Sequence, residues 1–360
     1  MMTLSDRKKF GYGCVVTLLA SSYLYYLFIG DAYLYSLDNL WSRPANIHDH
    51  KIYYNYINYR SAFEFRLFDN NYGISFIYNL LPGRDIQQVS FAVNCFFLGI
   101  YGILYVKICE KLDLPIQSFL LIMLNTSVLY FSLLINKDMI TLAIVVAALY
   151  FGLCRKWTYV LLLIIPAFLI RQQLVYFIAS FMALSILTQK SLKFNTIALF
   201  SVTSVLGILV LRAESFISLD TLGEGFTGQI TRYFYQNPIL APFGVPLRIA
   251  LYQWEFFGSV FIYENGQIDA AKFLRAPAAI YLLLQIPIAF GAYVKGRAHW
   301  DGNLKITYYC LISIFAAILL NPQINGRYYT VLVPVLFVFI ALLKRTSKKA
   351  DNQDPGLARR

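Results

Sequence analysis

Five isolated cations are the residues whose type and spacing most suggest chemistry. Four of them are arginine, whose planar guanidinium group stays charged and forms paired hydrogen bonds to a phosphate. If the fold brings the five side chains together, they would suit a diphosphate held at the level of lipid headgroups, as in a sugar linked to a polyprenyl diphosphate. The five are Lys137, Arg171, Arg232, Arg248 and Arg327.

Lys137 and Asp138 lie side by side in a short polar turn between two apolar segments, directly after Asn136. A polar turn of this length is enough to close a helical hairpin, which is the simpler interpretation. A lysine and an aspartate together are more than closure requires, and ionisable groups at headgroup depth are often functional. We therefore predict that Lys137 binds substrate and that Asp138 is catalytic.

Arg171 interrupts the otherwise uncharged residues 158–188 and is followed by Gln172 and Gln173. An arginine at a helix boundary can simply extend its side chain to the membrane surface. The alternative is a fixed cation facing a cavity, and the helix break expected here favours it. This hypothesis makes Arg171 catalytic and Gln172 a substrate-binding residue.

Residues 321–329, with the sequence NPQINGRYY, form a turn before the last apolar segment. Pro and Gly account for the turn, but Arg327 does not follow from turn chemistry and stands on the side that the positive-inside rule disfavours. Arg232 and Arg248 are predicted to lie on the same, disfavoured side of the membrane. We predict a catalytic role for Arg327 and substrate-binding roles for Arg232, Arg248 and Tyr328.

The first polar segment offers candidates for acid–base chemistry in Asp31, His48, Asp49 and His50. Transfer of a glycosyl group onto a hydroxyl needs a base near that hydroxyl, and Asp or His can serve. The alternative is that these are solvated loop side chains. Asp49 and His50 are predicted to be catalytic, and Tyr53 to bind substrate.

The composition indicates a membrane protein. Hydrophobic residues make up 58% of the 360 residues and charged residues 14%, against roughly 45–50% and roughly 25% in soluble domains. The net charge of +12 comes from small Lys and Arg clusters at the ends of apolar runs. Such clusters orient a membrane protein, whereas a nucleic-acid surface would need a stripe and a motif. No nucleic-acid partner is predicted.

The sequence predicts neither a metal nor a cofactor. It has three histidines and no Cys/His spacing typical of zinc, and it lacks a P-loop and an Asp-x-Asp signature for nucleotide sugars. Its five cysteines lie within apolar runs or at their ends, so no disulfide framework is indicated.

Ten apolar runs predict an all-α, polytopic integral membrane bundle of about ten transmembrane helices. The first run follows Arg7, Lys8 and Lys9, but it is long and lacks a clean cleavage site, so we interpret it as a retained helix and not a signal peptide. The runs cover residues 11–29, 87–108, 117–135, 139–153, 158–170, 172–188, 194–211, 275–293, 305–320 and 328–343.

The positive-inside rule orients these helices. Every basic cluster falls on the cytoplasmic side only if residues 157–188 form two segments, so we predict a break near Arg171 on the outer side. Both termini are then cytoplasmic. Runs 139–153 and 158–170 are too short for a full span of about 20 residues, which suggests broken or tilted helices around a polar cavity.

This topology gives one transmembrane domain, residues 1–345, with periplasmic loops at 30–86 and 212–274. Within the second loop, residues 246–262 are apolar enough to lie in the interface or to re-enter the membrane. Residues 346–360 form a cytoplasmic tail whose charge, Pro and Gly are typical of disorder.

Four short motifs in this order resemble the bacterial Wzy and EpsG-like polysaccharide polymerases, which are integral membrane proteins. The likeness covers about residues 10–345, and the usual Ser of the Ser-Lys-Asp turn is Asn136 here. The motifs are Asp49-x-x-x-Tyr53 in the first outer loop, Lys137-Asp138 in a hairpin turn, Arg171 in the membrane, and Arg327-Tyr328-Tyr329 at the start of the last helix.

The resemblance implies transfer of a growing glycan from undecaprenyl diphosphate to a newly flipped, lipid-linked repeat unit. The outer cations would bind the diphosphates, and Asp49 or a neighbouring His would activate the acceptor hydroxyl. Expected partners are the lipid-linked oligosaccharide, membrane lipids and a chain-length regulator protein. The expected location is the bacterial inner membrane, with the active site facing the periplasm.

Two alternatives stay open. A GT-C-type glycosyltransferase with a polyprenyl-phosphate sugar donor carries an acid soon after its first helix, and Asp31 could fill that place. A lipid-linked oligosaccharide flippase is disfavoured, because transporters commonly have internal repeats and bind substrate near mid-membrane. This sequence shows no repeat, and its charges lie at the outer edge.

Overall fold

The structure, a computed structural model, describes the greater part of the chain. Within that part the protein is helical apart from one short hairpin, in which Tyr263–Glu264 pairs antiparallel with Gln267–Ile268. The described residues are 4–30, 53, 57, 72–79, 86–187, 191–213, 229, 233, 244–264, 267–268, 270–294, 300–320 and 326–353.

The helices are numbered here in chain order. They are α1 Leu4–Tyr25, α2 Tyr72–Asn79, α3 Ile86–Lys111, α4 Gln117–Leu120, α5 Ser127–Leu133, α6 Asp138–Leu153, α7 Trp157–Leu162, α8 Ile164–Ile170, α9 Gln173–Met182, α10 Leu192–Ala213, α11 Gly244–Phe257, α12 Ala270–Val294, α13 Gly302–Leu319 and α14 Tyr329–Gln353. Single π or 3-10 turns occupy Tyr26–Gly30, Leu121–Leu124, Ala183–Leu187, Gly258–Val260 and Gly326–Tyr328.

Five stretches within these described helices are long and apolar enough to cross a membrane, which confirms a helical, membrane-embedded protein. Four shorter apolar helices accompany them: Asp138–Leu153, Trp157–Ile170, Gln173–Ile186 and Leu192–Gly207. The five long stretches are Ser5–Phe28, Gln88–Lys111, Lys272–Gly291, Gly302–Leu319 and Tyr329–Thr346.

The apolar run at residues 117–135 is not the single helix that its composition predicts. Asn125 takes φ −81° and ψ 55°, and its side-chain amide donates a hydrogen bond to the Thr330 carbonyl at 3.0 Å. The Thr126 hydroxyl donates to the Leu274 carbonyl. Polar side chains that bond to other backbone groups compete with helix continuation, so α4 and α5 replace one long helix.

The predicted break at Arg171 is confirmed. Helix α8 ends one residue earlier, and Arg171 takes an extended conformation with φ −160° and ψ 108°. A second interruption separates α7 from α8 at Leu163. Pro166 explains it, because proline has no amide hydrogen and its ring blocks the carbonyl of Leu162, four residues earlier.

Helix α6 is the centre of the bundle. Of its 16 residues, 14 are buried, and α3, α13 and α14 all pack against it. A helix that is apolar on every side belongs in a core. The residues at its first turn are therefore fixed by contacts from several neighbouring helices.

The two ends of α6 define the two ends of the bundle, about 24 Å apart at 1.5 Å per residue. The Asp138 end is formed by Lys137, Asp138, Arg171 and Arg327. The Arg345 end is formed by Arg7, Asp113, Arg155 and Arg345.

Contacts tie the Arg345 end together. Arg7 pairs with Asp113 at 3.3 Å, and Arg345 donates to the Leu112 carbonyl. A Cβ atom at Gly302 would lie 2.9 Å from Nη2 of Arg155, so α13 begins beside that arginine. Basic residues that are far apart in the sequence thus share one end of the molecule.

Helix α14 continues to Gln353, past the predicted end of the apolar run at residue 343. The predicted disordered tail is wrong for residues 346–353, which are helical: lysine, alanine and glutamine favour helix, and Thr346 is buried against the bundle. Residues 354–360 lie outside the described part of the chain.

Helix α11 lies within the second segment predicted as a loop. Arg248, Tyr252 and Phe256 recur every four residues and are buried, whereas Trp254 is 72% exposed. Helix α11 packs against α10, α12 and α13. Its buried face therefore delivers Arg248 into the bundle.

Candidate functional site

Asn136 shapes the turn that starts α6. Its side-chain oxygen accepts hydrogen bonds from the backbone amides of Asp138 at 2.7 Å and Met139 at 3.4 Å. Its side-chain nitrogen donates to the carbonyls of Phe131 at 2.5 Å and Leu134 at 2.9 Å. The asparagine caps α6 and fixes the preceding chain, so it sets where Lys137 and Asp138 stand.

An ion pair joins the α6 turn to the break between α8 and α9. Arg171 Nη2 lies 3.3 Å from Asp138 Oδ1, and the two side chains are 12% and 1% exposed. Asp138 occupies the first turn of α6, where the helix dipole favours a carboxylate. The extended backbone at Arg171 turns the chain between two helices at the point where the guanidinium group meets this carboxylate.

The ring of Tyr328 joins a second arginine to the pair. The guanidinium carbon of Arg171 lies 5.1 Å from the ring centroid and that of Arg327 lies 5.3 Å from it. Both arginines therefore have cation–π contact with one aromatic ring. Two like charges held this close to one ring favour an anion that binds both.

Lys137 adds a further cation directly before Asp138 in the chain. Its Nζ atom lies 5.4 Å from the centroid of the Tyr53 ring, and both residues are buried. Tyr53 thus lies beside Lys137.

Arg248 reaches the site through Tyr252. Tyr252 lies within electrostatic reach of Arg248 and Arg327, and its ring stands edge-on to that of Tyr328 at 6.5 Å between centroids. Burial raises the pKa of the Tyr252 hydroxyl above its ordinary value, so this group stays protonated and able to donate a hydrogen bond.

A small pocket lies beside Arg171, between α6, α9, α13 and α14. Its polar wall includes Thr141, Arg171, Gln173 and Tyr328, and its volume is about 20 Å³, which is enough for one water-sized molecule. A diphosphate is larger. It would have to meet Arg171 at the mouth of this pocket or displace the side chains around it.

An apolar groove lies between α2, α3, α6 and α8. Its volume is about 270 Å³, and the described wall includes Ile140 and Ile170, close in sequence to Asp138 and Arg171. Gly73 permits this arrangement, since a Cβ atom there would lie 2.1 Å from the Leu169 carbonyl oxygen. The groove could hold part of a hydrocarbon chain, and its wall includes α6, which begins at Asp138, and α8, which ends directly before Arg171.

Most of the predicted site residues in the described part of the chain come together. Asp138, Arg171, Arg327 and Tyr328 form one contact network. Lys137 adjoins Asp138 in the sequence and contacts Tyr53, and Arg248 is an electrostatic neighbour of Tyr252. Gln172 directly precedes α9 and is partly buried next to Arg171. The predicted residues Asp49, His50 and Arg232 lie outside the described residues, as do Asp31 and His48.

No family model, curated protein or solved structure matches this chain.

The interpretation of the site therefore depends on its own residues and geometry. In the described part of the network, the cations Lys137, Arg171, Arg248 and Arg327 outnumber the carboxylate of Asp138. Cations beside an apolar groove have the chemistry required for a lipid with an anionic headgroup.

Thr141 is a site residue that sequence reasoning missed. It is 2% exposed, it lines the pocket beside Arg171, and its Oγ1 atom has no hydrogen-bond partner among the described residues. Its position three residues after Asp138 would have placed it on the same helix face, but a threonine in an apolar helix carries little signal alone.

Asn94 and Arg275 were also missed. The side-chain nitrogen of Asn94 donates to the carbonyls of Ser132 at 3.0 Å and Leu134 at 2.7 Å, so α3 supports the same turn that Asn136 shapes. Arg275 lies 3.9 Å from Glu255 and ties α12 to α11. Neither contact could be foreseen, because the partners are distant in the sequence or are backbone atoms.

Proposed function

We propose that this protein polymerises undecaprenyl-diphosphate-linked oligosaccharide repeat units, as in the synthesis of an O-antigen, capsule or exopolysaccharide. The observation that carries the proposal is the buried Asp138–Arg171 pair, held with Arg327 against one tyrosine ring. Arginines in a fixed geometry suit the bidentate binding of phosphate groups. The residues also match the motifs that led to the resemblance with Wzy-like polymerases.

The proposed reaction transfers the glycan as a block. A hydroxyl oxygen of the acceptor unit forms a bond to the anomeric carbon of the growing glycan, while the bond from that carbon to the diphosphate oxygen breaks. The acceptor proton passes to a base, for which Asp49 and His50 are the candidates. Undecaprenyl diphosphate leaves with the bonding electron pair.

Each part of the described site has a role in this scheme. Arg171 and Arg327 bind the diphosphate and stabilise the charge that grows on it as the bond breaks. Asp138 orients Arg171, and Lys137 adds a further cation to the binding surface. The groove between α2, α3, α6 and α8 accepts the first part of the polyprenyl chain, and Tyr53, Gln172, Arg232, Arg248 and Tyr328 complete the binding surface.

The proposal includes a topology. About ten membrane-spanning segments would place both termini and the Arg345 end in the cytoplasm and the Asp138 end at the periplasmic face of the bacterial inner membrane. Basic residues concentrated at the Arg345 end support this orientation. A chain-length regulator protein would be an additional partner.

Deletion of the gene tests the proposal. Surface glycan in the deletion strain should carry a single repeat unit, with flipping of the lipid-linked unit intact. Persistence of the full ladder of chain lengths would contradict polymerase activity. Loss of one branching sugar at unchanged length would instead indicate a GT-C-type transferase, and repeat units trapped in the cytoplasmic leaflet would indicate a flippase.

Complementation with site variants tests the diphosphate site itself. Arg171→Ala and Arg327→Ala should each fail to restore the ladder at normal abundance in the membrane. Lys9→Ala is the control, because Lys9 is an exposed cation of α1 at the other end of the bundle. Full activity of both arginine variants would contradict the proposed role of the site.

A further inference from the structure

A second and larger apolar groove opens at the Arg345 end, between α10, α12, α13 and α14. Its volume is about 570 Å³. Ile197 and Phe290 on its walls are 67% and 63% exposed, so the groove opens through the side of the bundle. In a membrane-embedded protein, apolar side chains exposed at that side face hydrocarbon.

The floor of the groove is aromatic, and its hydroxyl groups bond to each other. Thr196 Oγ1 and the Tyr308 hydroxyl are 2.7 Å apart. The ring of Trp300 stands edge-on to that of Tyr308 at 5.4 Å between centroids, and Phe339 lies 6.0 Å from Tyr308. With these hydroxyls satisfied, the wall suits a hydrocarbon chain better than a sugar.

Three lysines stand on the helices at one end of the groove. Lys193 lines it and is exposed, and Lys305 is exposed one turn before Tyr308 on α13. Lys344 directly follows Leu343 of the wall, and its Nζ atom donates to Gln285. Trp300 lies at the same end, as is typical of the membrane–water boundary. Basic pockets between helices at such a boundary bind anionic headgroups.

We propose that this groove binds one anionic phospholipid of the phosphatidylglycerol type. One acyl chain occupies the apolar wall, and the headgroup phosphate meets Lys193 and Lys305. The choice of an anionic lipid follows from charge complementarity with the lysines. The inference uses none of the residues of the Asp138 end and does not depend on the proposed function.

The test compares lipids that differ only in headgroup. Purified full-length protein in detergent is titrated with phosphatidylglycerol or phosphatidylcholine of identical acyl chains, and bound lipid is counted by native mass spectrometry. Phosphatidylglycerol should bind more tightly. Lys193→Ala should weaken it about fivefold, the factor that corresponds to ~1 kcal/mol per basic residue, and Lys193→Glu should weaken it further.

A matched control separates this site from general surface charge. Lys9→Glu makes the same change in charge as Lys193→Glu, on an exposed residue of α1 at the same end of the bundle. It should leave lipid binding unchanged. Equal weakening by the two variants would overturn the proposal, because the effect would then arise from net charge alone.

A second variant tests the apolar wall. Ile286 lines the groove and is 38% exposed, so Ile286→Trp should fill the groove from its open side, leave the bundle folded and reduce phosphatidylglycerol binding. Unchanged binding in that variant would overturn the proposal. Undecaprenyl phosphate added as a competitor should not displace phosphatidylglycerol. If it binds more tightly and also loses affinity in Lys193→Glu, the occupant is a polyprenyl lipid and the proposed one is wrong.

Discussion

The two ends of α6 present a matched pair of ion pairs in opposite surroundings. Arg171–Asp138 and Arg7–Asp113 each join an arginine Nη atom to an aspartate Oδ1 atom at 3.3 Å. The first pair is 12% and 1% exposed, and the second is 26% and 67% exposed. The two pairs have the same N–O distance but should differ in interaction energy, because water screens the second pair and the bundle encloses the first.

Of these two ends, the Asp138 end is the one where the protein buries its ion pair. Charges at the Arg345 end lie near the surface, where they orient the chain and contribute little to stability. Charges at the Asp138 end are buried, and each needs its partner to offset the cost of removal from water. Apolar side chains would pack there without that cost. That difference supports the proposal that the Asp138 end is the functional one, and substitutions at the two ends should therefore differ in effect.

Arg171→Ala should have the largest effect. It leaves the Asp138 carboxylate buried without its partner, and breaking a buried pair in this way costs about 3–5 kcal/mol. The apparent melting temperature in detergent should fall strongly, and glycan polymerisation should be lost. Arg171→Lys keeps the charge but loses the planar contact with Tyr328, so its stability should be intermediate.

A double variant distinguishes folding from function at this pair. Replacing both partners with apolar residues, as in Arg171→Met with Asp138→Leu, removes the unpaired charge and should restore much of the stability. Activity should stay absent, because the diphosphate has lost one of the two arginines that bind it. Recovery of activity along with stability would show that the pair is structural only.

Asn136→Ala should come next. The alanine variant loses the cap of α6 and two donated hydrogen bonds, leaving buried backbone groups unsatisfied at about 1–3 kcal/mol. Asn136→Ser keeps an oxygen acceptor for the cap, so its loss should be smaller. Thermal stability and glycan ladders of the two variants measure this difference, and equal effects would argue against the cap.

Tyr328→Leu should have a moderate effect that appears in activity more than in abundance. Leucine keeps an apolar side chain but removes the ring that both guanidinium groups contact, and partly buried cation–π contacts contribute about 0.5–2 kcal/mol. Activity should fall about tenfold. Tyr328→Phe keeps the ring and should stay near wild type; a large loss there would assign the role to the hydroxyl instead.

Local patterns predicted much of this fold, and long-range contacts decided the rest. The break at Arg171 followed from the charge rule, because one helix over residues 157–188 would have put basic clusters on both sides. The break at Asn125 did not, since it depends on a bond to the Thr330 carbonyl across the bundle. The helix beyond residue 343 was missed because charge and nearby Gly and Pro suggested disorder.

The site was foreseeable in its residue types but not in its contacts. Isolated arginines in apolar sequence indicated a function at their positions, and Arg171 and Arg327 proved to share the Tyr328 ring. The pairing of Arg171 with Asp138 in particular could not be derived, since spacing along the chain does not say which helices pack on α6. Thr141 could not be predicted as a site residue, because its place in the pocket depends on α9 and α13 packing around it together with Arg171.

Arg7→Ala should have the smallest effect of these variants, and it is the control for Arg171→Ala. Its partner Asp113 is mostly exposed, and exposed pairs contribute about 0.2–1 kcal/mol. The free energy of unfolding should fall by no more than about 1 kcal/mol. The fall should be smaller at high salt, because ions screen exposed charges. The glycan ladder should stay at wild-type length. A loss as large as that of Arg171→Ala would mean that burial does not separate the two ends. A small, salt-dependent loss for Arg7→Ala beside a large, salt-independent one for Arg171→Ala would assign the difference to burial, since the residue types and the N–O distance are the same in both pairs.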